Sequence, residues 1–63
     1  MEARERLTRL VMGLEMSIPE MRERLQWIPE GDLERKYTEK FIVSMEAELA
    51  KAKAELAALK KDE

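Results

Sequence analysis

Between Asp32 and Lys60 the chain carries neither glycine nor proline, and within that stretch Met45, Leu49, Ala52, Leu56 and Leu59 follow one another at spacings of four, three, four and three. This is the heptad seam of a helix that packs lengthwise on another helix. Leu, Met, Glu, Lys and Ala, the strongest helix formers, dominate the stretch. A helix over 32–60 would be about 42 Å long at 1.5 Å per residue, far beyond the usual three or four turns. Tyr37 and Phe41 extend its apolar face toward the N-terminal half. Ala47, Ala50, Ala54 and Ala57 form a second stripe, displaced by two residues. It reads either as helix propensity or as a close-packed second contact through small residues.

The prolines punctuate the rest. Pro19 and Pro29 disfavour helical dihedrals at Ile18 and Ile28, the residues before them. This divides the chain into three pieces. Over 3–15, Leu7, Leu10, Val11 and Leu14 form one stripe, and Gly13 weakens the last turn by about 1 kcal/mol relative to Ala. The second piece opens on Ser17-Ile18-Pro19-Glu20, a capping box with Ser17 as N-cap and Glu20 three residues on. It continues through Met21 and Leu25 and ends near Trp27. Pro29-Glu30-Gly31-Asp32 is a turn, with Asp32 as N-cap of the third piece. The expected fold is all-α: two short amphipathic helices and a loop over 1–31, then one long coiled-coil helix over 32–63, as a single structural unit.

Several chemistries are missing. The chain has no Cys and no His, which removes disulfide staples and leaves little basis for a zinc site or a Glu-x-x-His carboxylate–metal site. Its 14 acidic residues all fall where a solvated helix face explains them. Ser17, Ser44, Thr8 and Thr38 have no base partner in the pattern, and Gly13 and Gly31 are isolated, so no phosphate loop can be written. An enzyme is not expected, nor a cofactor. Twelve basic residues against 14 acidic ones leave a net charge of −2, not the strongly basic face of a nucleic-acid binder. No stretch approaches the roughly 20 apolar residues that span a bilayer, and no targeting signal is visible. The expected location is cytoplasmic.

A chain of 63 residues buries only about 60% of its unfolded surface. A second helix of about ten residues, roughly 15 Å long, cannot cover a 42 Å partner. Part of the long seam is therefore expected to stay bare in a single copy. The expectation is a two-fold antiparallel dimer with Phe41, Met45, Leu49, Ala52, Leu56 and Leu59 at its interface. Burying four Leu/Met-sized side chains per chain is worth about 6–12 kcal/mol before association costs. Trp27, Tyr37 and Phe41 read either as core at the corner of the hairpin or as the lining of an apolar pocket.

The stretch Leu14-Glu15-Met16-Ser17-Ile18-Pro19-Glu20-Met21-Arg22-Glu23-Arg24-Leu25 resembles the segment that follows the winged helix in the mercury-resistance-regulator (MerR) family. That family shows Leu-Gly-Phe-Ser-Leu-x-Glu-Ile-x-x-Leu-Leu there. Ser17 would match its capping serine, and Glu20, Met21 and Leu25 the positions after it. Glu15 stands where the family has Gly. The resemblance implies a charged loop and then a long helix dimerising as an antiparallel coiled coil. No winged helix precedes Ala3 in this sequence, no effector domain follows Lys60, and no cysteines are present for metal sensing. The expected role is a non-catalytic dimerisation module, the dimerising part of a MerR-like transcription regulator. Its partner would be itself or such a regulator, with no direct contact to nucleic acid or membrane. The alternatives are a free-standing small protein that forms mixed dimers with a full-length regulator, and a designed helical hairpin.

Overall fold

The computed structural model describes residues 2–61. It contains two helices, α1 over Ala3–Gln26 and α2 over Leu33–Lys61. A short turn over 27–32 folds them back on each other as an antiparallel hairpin measuring 49 × 15 × 14 Å.

The two short helices expected over 1–31 are one continuous helix of 24 residues. The local proline rule loses to the seam. Leu7, Val11, Leu14, Ile18, Met21 and Leu25 recur at spacings of four and three straight across Pro19, and all six are buried or half-buried. Ending the helix at Ile18 would take Met21 and Leu25 off that face. Each such side chain contributes about 1.5–3 kcal/mol when buried, against about 3 kcal/mol for an interior proline. Pro19 itself points to solvent, so the Glu15 carbonyl, which has no amide to accept from at Pro19, lies on the side where water can reach it. Ser17 sits inside α1, half-buried, and does not cap a helix. Glu20 is an exposed mid-helix residue.

The turn follows from its residues. The Trp27 amide donates to the Arg24 carbonyl at 3.1 Å and the Ile28 amide to the Leu25 carbonyl at 3.2 Å, closing α1. Gly31 has φ +89°, a region open to glycine at little cost. Asp32 then caps α2: its Oδ1 accepts the Glu34 amide at 2.9 Å. Arg35 fastens the corner. Its guanidinium donates to the carbonyls of Leu25 at 3.1 Å and Ile28 at 2.7 Å, and it pairs with Glu39 at 3.4 Å. A cation is thereby placed on the carbonyls at the end of α1, where the helix dipole favours it.

The core is a single seam. Leu14 and Ile18 pack with Ile42 and Met45, flanked by Met21, Leu25 and Leu49. Val11 and Ala52 continue the line toward the open end. At about 36 Å, α1 is long enough to cover most of α2, so the surface expected to be bare in a single copy is largely covered by the chain itself.

Candidate interaction surface

On α2 the positions facing α1 are Thr38, Ile42, Met45, Leu49, Ala52, Leu56 and Leu59, all buried or half-buried. The expected dimer interface divides on this axis. Met45 and Ala52 are buried, and Leu49, Leu56 and Leu59 half-buried, within one copy. Phe41 is not on the seam and is 54% exposed. The seam extends toward the turn through Ile42 and Thr38, and not through Phe41 and Tyr37 as the apolar pattern predicts.

The two flanks of the seam differ. One is closed by ion pairs between the helices: Arg22 to Glu46 at 2.6 Å and Glu15 to Lys53 at 3.3 Å. All four partners are well exposed, so each pair is worth about 0–1 kcal/mol and serves mainly to set register. The other flank holds Leu10, Ser17 and Arg24 of α1 and Phe41, Glu48 and Glu55 of α2, one residue before successive seam positions. Leu10 lines a shallow groove there with Leu7, Glu48, Lys51, Ala52 and Glu55. One step further round lie Tyr37 and Trp27, 61% and 80% exposed. The hydrogen bonds from Arg35 to the carbonyls of Leu25 and Ile28 bring Trp27 beside the first turns of α2.

Trp27, Tyr37 and Phe41 therefore neither fill the corner of the hairpin nor enclose a pocket. Each is more than half exposed, as are Leu33 beside the turn and Met12, Met16 and Val43 on the outer faces. Of the second alanine stripe, Ala47, Ala50, Ala54 and Ala57 are all exposed. The accessible surface is 5164 Å². A compact monomer of 7.4 kDa exposes about 4200 Å² by the usual size scaling; the difference follows from the elongated 49 × 15 × 14 Å shape and counts polar and apolar surface alike.

Two residues that matter here escaped the sequence reading. Ile42 is the most buried large side chain of α2, but it stands beside a larger apolar residue that competes for the same face. Arg35 occupies a seam position, where a charge reads as solvent-facing. The signal that could have found it is its place one turn after the Pro29–Asp32 corner, within reach of the carbonyls that end α1.

Among the described residues, no group of three or more acidic side chains is placed to hold a metal ion, and neither helix is long and apolar enough to cross a membrane. No family model, curated protein or solved structure matches this chain.

Proposed function

We propose that this chain is a non-catalytic protein-interaction module that acts by self-association. The observation that carries the reading is the set of large apolar side chains left exposed. The seam is filled within one copy, yet an indole, a phenol and a phenyl ring, those of Trp27, Tyr37 and Phe41, remain 80%, 61% and 54% exposed. Enzymatic work finds no support in the residue types or in the open, solvated grooves.

Sedimentation equilibrium is the test. A species of twice 7.4 kDa at micromolar concentration, dissociating on dilution, is the expected result. A single copy at every concentration, with full helicity, would overturn self-association.

A second reading keeps the chain in mixed pairs with a MerR-like regulator. What favours it is the 29-residue α2, since the resemblance implies a long dimerising helix after the charged loop. Against it stands Ser17, the residue on which the resemblance opens a helix, which lies inside α1. Native mass spectrometry of the chain mixed with such a regulator would show one-to-one species if this reading is right and only the unmixed partners if it is wrong.

A further inference from the structure

We infer that a second copy of this chain docks on the flank carrying Trp27, Tyr37 and Phe41, in a two-fold contact centred on Tyr37 and Phe41. The inference rests on the self-association reading and names the surface that performs it.

The flank is selected by three observations. Its counterpart on the other side of the seam is already occupied, by Arg22–Glu46 and Glu15–Lys53, and burying those four charges against a partner would be expensive. Among the described residues the aromatic flank carries no such cross-helix pair at its turn end, where Arg24 and Glu34 stand beside the rings. The third observation is area. Fully buried aromatics remove about 150–250 Å² each, and at 80%, 61% and 54% exposure the three rings present about 400 Å² between them. A standard interface takes about 800 Å² per partner, of which roughly 60% is apolar, or about 480 Å². The three rings supply most of that amount from one face. The outer faces do not. Met12 and Met16 on α1, and Val43 on α2, are set among Arg9, Glu23, Lys36 and Lys40 at neighbouring surface positions.

The occupant is a second copy because the requirement belongs to every folded chain. Rings exposed to this degree remain a cost whenever the hairpin is folded, and an identical partner is present wherever the chain is. A two-fold contact then doubles the benefit, since the same patch serves both sides. Tyr and Trp suit such a surface: each has an apolar body to bury and one polar group for the wet rim.

Trp27 is the sole tryptophan and reports on the flank directly. The experiment follows its emission and its quenching by acrylamide over a dilution series of the wild-type chain, beside sedimentation of the wild type, of Tyr37→Glu/Phe41→Glu, and of Met16→Glu. Emission should shift to the blue and quenching should fall as the dimer forms. The double variant should weaken association by at least about 30-fold, the hot-spot threshold, with unchanged helicity. Met16→Glu should associate as the wild type does. A wild-type dimer whose Trp27 stays fully quenchable, or a double variant that pairs normally, would overturn this flank and leave self-association standing through another face. A wild type that never pairs would overturn both. The fluorescence arm needs no variant, so it decides the matter even if the double variant folds poorly.

Discussion

Phe41 and Ile42 are adjacent on α2 and similarly apolar, yet Ile42 is 5% exposed and Phe41 54%. The difference is one step of 100° around a helix. That step separates two regions with different duties. The seam, from Val11 and Leu14 across to Ile42, Met45 and Ala52, holds the hairpin together. The aromatic flank beside it, with Trp27, Tyr37 and Phe41, adds little to a single copy and is available to a partner. With none of the described residues less than 2% exposed, the seam is thin, so losses there should be felt in full. Losses on the flank should be felt only when copies meet.

The comparison can be broken first at the seam. Ile42→Ala removes the most buried large side chain of α2 and should cost about 2–5 kcal/mol, a large part of the total stability of so small a domain. Urea unfolding followed by circular dichroism at a concentration where copies do not pair would measure it. Phe41→Ala under the same conditions should cost under about 1 kcal/mol, within the range of surface substitutions. Equal losses at the two positions would erase the distinction between seam and flank.

Pro19→Ala comes next, with the opposite sign. If α1 is one helix, the substitution gives the Glu15 carbonyl an amide donor and should stabilise by up to about 3 kcal/mol. If Ser17 opened a separate helix, proline in its first turn would be nearly free and the change would be close to neutral. Arg35→Met sharpens the account of the corner. It keeps the apolar stem and removes the donors to Leu25 and Ile28, at an expected cost of about 1–2 kcal/mol, read in the same titration. A smaller gain is expected from Gly13→Ala. An added Cβ would meet nothing within 4 Å, so the gain should be about 1 kcal/mol, or roughly 4–8 °C in Tm.

Much of this architecture was legible in the residues. The heptad spacing from Met45 to Leu59 identified the face of α2 that is buried, and Asp32 identified its first turn. What misled was the weight given to local signals. Ser17-Ile18-Pro19-Glu20 satisfies a capping box residue by residue, but the spacing from Leu14 through Ile18 and Met21 to Leu25 continues through it, and burial along a whole helix outweighs one proline. A helix broken at Pro19 would leave α2 uncovered and give to a second copy the seam residues that the continuous α1 covers. Near the turn, Leu33, Tyr37, Phe41 and Met45 make a tidy run at spacing four that outshines Thr38, Ile42 and Met45, although only the latter stays on the seam. Ring size drew attention to the wrong row. Arg35 was invisible for a different reason: its partners are backbone carbonyls, which no side-chain pattern displays.

The central claim is that the seam is covered by the chain's own first helix, which frees the aromatic flank for association. Paired spin labels at Glu15→Cys and Lys53→Cys, in a chain with no other cysteine, test it most directly by dipolar spectroscopy after dilution into an excess of unlabelled protein. The account predicts a short separation, set by helix axes about 8–10 Å apart, that persists unchanged at every dilution. A short separation that disappears on dilution would mean that the seam pairs two copies, and would contradict it.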